Sequence, residues 1–303
     1  MIYDLIIIGG GPAALSAGIY SARKELKTLI LCKEIGGQVK EAWEIENYLG
    51  LGKIKGTDFA KKMREHISLF ENILVKENAL VNKIDKENEN FKVATNAESF
   101  LGKTVLIASG SKPKRLGVQN EGKFVGKGVS YCATCDAPMF KDKNVVVVGG
   151  GNAALDATNE LSMIAKFVYI LDIGKEFIAD KFLSEKVLKN KNVKEIHNSK
   201  IVEFIGNEKG FVKEIIYEDL NSKKKNKLEV EGVFVEIGSM PALVKQAIKL
   251  NEKSEIVVDE KNMTTEPGIF AAGDVTNTKY KQIAISVGEG AKAGLAIYEY
   301  LNR

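Results

Sequence analysis

The stretch Tyr131-Cys132-Ala133-Thr134-Cys135-Asp136 holds the residue types best suited to chemistry in this chain. Two cysteines with two residues between them can close into a small strained disulfide, work as a dithiol, or supply half of a metal site. Zinc normally takes four ligands. The chain offers only one further cysteine, Cys32, and two histidines, His66 and His197, none at a metal-like spacing to the pair. Redox thiol chemistry is therefore expected and a structural zinc site is not.

The rest of the chain bounds where that chemistry takes place. No run of 18 apolar residues exists, and Met1 leads within a residue or two into a core strand with no room for a signal peptide, so a cytoplasmic, non-membrane protein is expected. In that compartment thiols are kept reduced, which favours a catalytic pair over a structural staple. With 303 residues, 45% hydrophobic and 28% charged, the chain is long enough for two cores and has the composition of a compact globular protein. The net charge of +4 comes from lysine, and arginine occurs only at Arg23, Arg64, Arg115 and Arg303, with no basic stripe. Nucleic-acid binding is not expected. The run Lys223-Lys224-Lys225-Asn226-Lys227 lies between strand-like Glu214 to Glu218 and Leu228 to Val235, and is read as a solvated hairpin turn.

Two glycine-rich turns flank the cysteines and must position them. Leu5-Ile6-Ile7-Ile8 breaks at Gly9-Gly10-Gly11-Pro12-Ala13-Ala14, continues as a helical pattern to about Lys24, and is followed by an apolar strand, Thr28 to Leu31. The same design returns as Val145-Val146-Val147-Val148, then Gly149-Gly150-Gly151-Asn152-Ala153-Ala154, a helix to about Ile164 and the strand Phe167 to Leu171. Glycines let the backbone approach a pyrophosphate, and the helix N-terminus presents free N–H groups to it. One such match is weak, but two, each after an apolar strand and before a helix, predict two nucleotide-binding β-α-β units. Near the end, strand-like Gly268 to Ala272 runs into Gly273-Asp274, where the acid could bond a polyol hydroxyl or simply close a turn. Gln282 to Tyr300, rich in Ala and Gly, suggests a closely packed final helix.

The expected architecture is α/β, with two Rossmann-like nucleotide-binding domains, the second inserted in the first. The first spans 1–112 and 239–303, and the second, 113–238, carries the cysteine pair. Gly110-Ser111-Lys112-Pro113 and Gly238-Ser239-Met240-Pro241 have linker composition, and two short linkers allow a hinge.

Taken together, Gly9-x-Gly11-x-x-Ala14, Gly36-Gly37-Gln38, Glu46-Asn47-Tyr48, Cys132-Ala133-Thr134-Cys135-Asp136, Gly149-x-Gly151-x-x-Ala154, Gly273-Asp274 and Lys281-Gln282 resemble the low-molecular-weight thioredoxin reductases along essentially the whole chain. The chain is also similar to the flavoprotein portion of the F component of alkyl hydroperoxide reductase at Ile19 to Lys24, Tyr280 to Ile283 and Gly288 to Ala293. That relative carries additional N-terminal thioredoxin-like modules. Here the first flavin-domain strand follows Met1, so electrons are expected to leave to a separate protein.

The resemblance implies a homodimer with one FAD per subunit, hydride transfer from a nicotinamide nucleotide to FAD, and reduction of Cys132–Cys135, which then reduces thioredoxin or a thioredoxin- or glutaredoxin-like protein. It implies that Cys135 faces the flavin, that Cys132 attacks the partner, and that Asp136 moves the proton. Asp136 read by itself could also be a helix cap. For FAD the implied contacts are Gly9, Gly11, Pro12, Ala13, Ala14, Gly37, Gln38, Asn47, Gly273, Asp274, Lys281, Gln282 and Ile283. Cys32 holds the position where a ribose-binding acid often follows the second strand, leaving Glu34 as the carboxylate within reach. For the nicotinamide nucleotide the contacts are Gly149, Gly151, Asn152, Ala153, Ala154 and Asp172.

The departures from the resemblance concern the electron donor. The strand Tyr169-Ile170-Leu171 ends at Asp172, 21 residues beyond Gly151, a spacing suited to a carboxylate that accepts bonds from the ribose hydroxyls of NADH. NADPH-dependent relatives usually place His-Arg-Arg there and another arginine further on, where this chain has Asp172, Ile173, Gly174 and Ile178. A carboxylate about 4 Å from a phosphate is repelled by roughly 1 to 4 kcal/mol per unit charge product. Lys175 and Lys181 lack the planar fork of arginine. NADH is expected to be preferred over NADPH. A ferredoxin-type donor is the alternative, although relatives of that kind tend to lose the glycine fingerprint, which is intact here. Two other readings are the reductase half of a peroxide-removing system and, in another class, a non-catalytic flavin- or nucleotide-binding regulator.

Overall fold

In the computed structural model, which describes every residue except 43, 243, 245–247 and 303, the chain divides into two compact units. One comprises Met1–Lys112 with Met240–Arg303, and the other Pro113–Ser239.

The first unit opens with β1 (Ile2–Ile8), α1 (Pro12–Ala22), β2 (Thr28–Leu31), α2 (Gly56–Ile67), β3 (Ile73–Lys76), β4 (Val81–Glu87), β5 (Asn90–Thr95) and β6 (Ser99–Ile107). The short crossing strand β7 (Ser111–Pro113) follows. The second unit contains α3 (Glu121–Phe124), β8 (Val129–Ser130), α4 (Ala133–Asp136), β9 (Asn144–Val148), α5 (Asn152–Ser162), β10 (Phe167–Leu171), α6 (Lys181–Leu188), β11 (Val193–Ile196), β12 (Ser199–Gly206), β13 (Val212–Asp219), β14 (Lys225–Glu229) and β15 (Gly232–Val235). The return crossing, β16 (Ser239–Pro241), pairs with β7. β17 (Ile269–Ala271) and α7 (Ile283–Leu301) then complete the first unit.

The first sheet runs β3-β2-β1-β6-β5-β4, with β17 also on β6. β1 pairs in parallel with β2 and β6, and β17 pairs in parallel with β6 at Val105 to Ile107. Leu5, Ile6 and Ile7 are fully buried, as a central parallel strand covered on both faces requires. Each such side chain contributes roughly 1.5 to 3 kcal/mol on leaving water. The glycines of α7 let it close on α1. A Cβ on Gly290 would lie 2.1 Å from the Ala13 carbonyl oxygen, so only glycine fits there.

The second unit repeats the plan with a five-stranded parallel sheet in the order β11-β10-β9-β15-β8, beside an antiparallel β12-β13-β14 ribbon. Both units therefore carry the Rossmann-type β-α-β expected of the α/β class. Two expectations are corrected. Leu228 to Val235 is not a single strand, because the chain leaves the antiparallel ribbon after Glu229 and joins the parallel sheet at Gly232. Phe140 covers that entry point so closely that a Cβ on Gly232 would lie 2.4 Å from its ring. The basic run also shifts, since Lys225 to Lys227 belong to β14 and the turn itself is Leu220 to Lys224, with Lys223 at φ +60°.

Candidate functional site

The redox pair is closed. Cys132 and Cys135 form a disulfide with their Cα atoms 5.3 Å apart, Cys132 capping α4 and Cys135 lying within its single turn. A helical turn brings residues i and i+3 onto one face, which is why two intervening residues suffice. Ser130, the last residue of β8, organises the turn. Its hydroxyl donates to Asp136 Oδ2 at 2.6 Å and accepts the Cys132 amide at 3.1 Å. Burial pushes the Asp136 carboxyl above the ordinary aspartate range, with the Ser130 bond pulling the other way. Asp136 is thus held in the turn and biased toward its protonated form, which suits a proton donor to sulfur better than a permanently charged cap.

A second carboxylate, absent from the sequence reading, sits against the same turn. Glu236 follows β15, and its Oε1 accepts the Ala133 amide at 3.3 Å. Burial above all, helped by the charge of Glu160 on α5, outweighs that bond and pushes the carboxyl up to about 7. Glu160 itself accepts the Thr134 hydroxyl at 3.3 Å. The available signal was a lone acid ending an otherwise apolar parallel strand, as Asp172 ends β10.

The second glycine loop lies between β9 and α5. Gly149, at φ +138°, passes so near the end of β15 that a Cβ would lie 2.5 Å from the Glu236 carbonyl oxygen. Gly151 has nothing within 4 Å of where a Cβ would point, leaving its backbone open to a ligand at the start of α5. Asp172 is 8% exposed and accepts the Gly174 amide at 3.1 Å. Its Oδ2 would lie 2.4 Å from a Cβ on Gly150, which fixes the carboxylate at the loop. The Ile178 and Ala179 amides donate to the Gly150 carbonyl, so the segment after Asp172 folds back over the loop. Asn152 is committed to that segment and accepts the Asp180 amide at 2.8 Å. Ala153 is exposed and Ala154 buried.

The first loop assembles most of the remaining residues. A Cβ on Gly9, at φ +128°, would lie 2.1 Å from the Ala108 carbonyl oxygen, while Gly11 is open. Pro12 occupies the first helical position of α1, where its missing N–H costs nothing, and Ala13 and Ala14 are buried behind it. The Gly36 amide donates to the Gly10 carbonyl at 2.8 Å, and Gly37, at φ +54°, lies against Gly11. Gln38 donates to the Ser111 carbonyl. Asn47 donates to Gln282 Oε1 at 3.3 Å, and Ile283 packs on the Val39, Ile45 and Phe59 cluster. Gly273 lies against Ala13, and the Asp274 carboxyl accepts the Ser286 hydroxyl at 3.3 Å. Burial raises its pKa, against the nearby Lys281 charge.

Three residues stand differently from the sequence reading. Lys281 is engaged by Glu255 at 3.1 Å and by the Thr276 carbonyl at 2.5 Å. Glu34 lies at the first loop through its carbonyl oxygen, but its side chain is paired with Lys40. Glu289 on α7, not singled out in sequence, accepts the Gly273 amide at 2.7 Å and the Thr278 hydroxyl, and so holds the Gly273-Asp274 turn. Cys32 is buried, and burial, with Glu77 adding to it, pushes its thiol up to about 11.

Among the described residues no His, Cys, Asp and Glu group could hold a metal ion, and no helix is long and apolar enough to cross a membrane. The sequence pattern of the pyridine nucleotide-disulphide oxidoreductases matches residues 3–290. The chain belongs to that family. It is similar to a crystal structure of thioredoxin reductase from Streptococcus pyogenes, with 35% identity, a TM-score of 0.94 and coverage of 99% of this chain and 98% of that one. A thioredoxin reductase from Giardia duodenalis gives 30% identity, a TM-score of 0.93 and coverage of 100% and 99%. The F component of alkyl hydroperoxide reductase from Staphylococcus aureus is 40% identical over 99% of this chain but only 59% of its own length, so the chain spans a little over half of that curated relative.

Proposed function

We propose that this family member is an FAD-dependent disulfide reductase that passes electrons from NADH, in preference to NADPH, through Cys132–Cys135 to thioredoxin or a thioredoxin- or glutaredoxin-like protein, as a cytoplasmic homodimer. The observation that carries this reading is the closed Cys132–Cys135 pair with Asp136 bonded to Ser130 and biased toward its neutral form.

The residues fit both nucleotides. FAD would be held at the open backbone of Gly11 by Gly9, Pro12, Ala13, Ala14, Gly37, Gln38, Asn47, Gly273, Asp274, Gln282 and Ile283, with Lys281 and Glu34 contributing less because both are engaged within the protein. NADH would be held at the open backbone of Gly151 by Gly149, Asn152, Ala153, Ala154 and Asp172. When bound, FAD reduced by hydride from NADH supplies the electron pair that breaks the S–S bond. Asp136 delivers the proton that the released sulfur requires, and Cys132 as thiolate attacks the partner's disulfide to form a mixed disulfide that Cys135 resolves. Asp172 accepts ribose hydroxyls and repels a 2′-phosphate.

The test is steady-state turnover of a disulfide protein together with rapid-mixing reduction of the flavin. kcat/KM with NADH should exceed that with NADPH by roughly tenfold or more, the lower part of a 1 to 4 kcal/mol repulsion. Fast bleaching by reduced ferredoxin beside slow bleaching by NADH would overturn the donor assignment. The 40% identity to the F component of alkyl hydroperoxide reductase supports a second reading, the reductase component of a peroxide-removing system. A coupled peroxide assay with a glutaredoxin-like carrier separates the two.

A further inference from the structure

Glu236 is used by no step above, yet it lies where the redox turn meets the second glycine loop. Its backbone oxygen faces Gly149, and its carboxylate accepts the amide of Ala133, the residue directly after Cys132. That amide heads the turn bearing both sulfurs. A charge placed there acts on the thiolate that forms when the disulfide opens.

We propose that Glu236 is a positioning residue that sets the thiolate content of the reduced pair, disfavouring the Cys132 thiolate when its own carboxyl is ionised and releasing it when neutral. The inference rests on reading Cys132–Cys135 as the redox couple. Among the described residues, the charged groups that α4 and α5 bring near Glu236 are acidic. α5 brings Glu160, which raises the Glu236 pKa, and α4 carries Asp136, whose carboxyl is held by Ser130. The loop Gly149-Gly150-Gly151-Asn152 brings no charged side chain. With the Glu236 carboxyl pushed up to about 7, the control falls in the physiological range. Below it the carboxyl is neutral and the Cys132 thiol ionises more readily. Above it two negative charges would share the turn, and Cys132 ionises at higher pH.

The experiment uses the full chain reduced by a chemical dithiol, so neither FAD, nucleotide nor partner takes part, and a failed turnover assay would leave it interpretable. Iodoacetamide alkylation, in which the thiolate displaces iodide, is followed for Cys132 and Cys135 by peptide mass spectrometry from pH 5 to 10. The wild type should show two inflections for Cys132, the lower near pH 7. Glu236→Gln should show one, with Cys132 alkylated about three- to tenfold faster at pH 8. Glu236→Asp should restore the two-step profile. Glu160→Gln tests the same coupling without touching Glu236 and should move the lower inflection to lower pH. Superimposable profiles for wild type and Glu236→Gln would overturn the proposal, and if that variant fails to fold, an unmoved inflection in Glu160→Gln would do so.

Discussion

The two glycine loops are built alike at their first three residues and differently at the end of the strand that follows. Gly9 and Gly149 both take positive φ and both pass so close to a neighbouring carbonyl that no side chain fits, while Gly11 and Gly151 are both open. At the second strand the likeness stops. After β10, Asp172 is buried with its carboxylate against Gly150. After β2 the corresponding place is taken by the buried Cys32, and Glu34 reaches the loop only through its backbone while its side chain pairs with Lys40. On the proposed reading the glycine pattern places the pyrophosphate, and the residue ending the second strand would govern how the ribose is read. One loop carries a carboxylate fixed beside it, and the carboxylate near the other pairs with a lysine.

The largest effects should come from breaking what the loops share. Gly9→Ala and Gly149→Ala each force a Cβ into a carbonyl at positive φ and should cost their own unit several kcal/mol, about 3 or more. Gly9→Ala is expected to lose FAD on purification. Gly149→Ala is expected to stay yellow while its rate of flavin bleaching by NADH falls by two orders of magnitude or more. Bleaching at the wild-type rate in Gly149→Ala would show that the second loop does not receive the donor.

Next comes the difference between the loops. Asp172→Asn removes a charged acceptor worth about 1.5 to 3 kcal/mol, so KM for NADH should rise roughly ten- to hundredfold. Glu34→Gln should change FAD affinity by less than about threefold, measured by flavin release. Equal effects of the two variants would erase the distinction.

A smaller effect concerns pH. The folded-state Glu236 value of about 7 lies above its ordinary 4.5, so its contribution to stability is fully present below about pH 4.5 and is lost as pH rises through 7. The thermal midpoint of the wild type should therefore fall from pH 5 to pH 8 relative to that of Glu236→Gln, corresponding to about 1 to 3 kcal/mol. A constant gap across that range would contradict the buried carboxylate. Smallest of all is Cys32, whose raised thiol should stay unlabelled by iodoacetamide at pH 8 while the reduced pair reacts.

Both β-α-β units were legible because buried parallel strands read as unbroken apolar runs, and the loops between strand and helix admit so few residue types. Thr28 to Leu31 and Phe167 to Leu171 stand where the sequence places them. The break between β14 and β15 was not legible, since it depends on the ring of Phe140 meeting Gly232 from 92 residues away. The candidate site divides in the same way. Asp172 could be placed by spacing alone. Glu236 ends an apolar strand as Asp172 does, but the Ala133 amide it accepts lies 103 residues away, and the Gly273 amide that Glu289 accepts likewise comes from another segment, so the role of neither could be read locally. Ser130 lay in plain view two residues before Cys132, but its bond to Asp136 exists only once the turn has formed.

The central claim is that the Cys132–Cys135 couple exchanges an electron pair with a flavin fed by NADH. Anaerobic titration of the FAD-loaded protein with NADH measures this directly, by counting the reductant consumed before free NADH absorbance accumulates. The wild type should consume about twice as much per flavin as Cys135→Ser, because flavin and disulfide each take one electron pair. Equal consumption by the two proteins, with the disulfide still intact in the wild type after the flavin is bleached, would contradict the account.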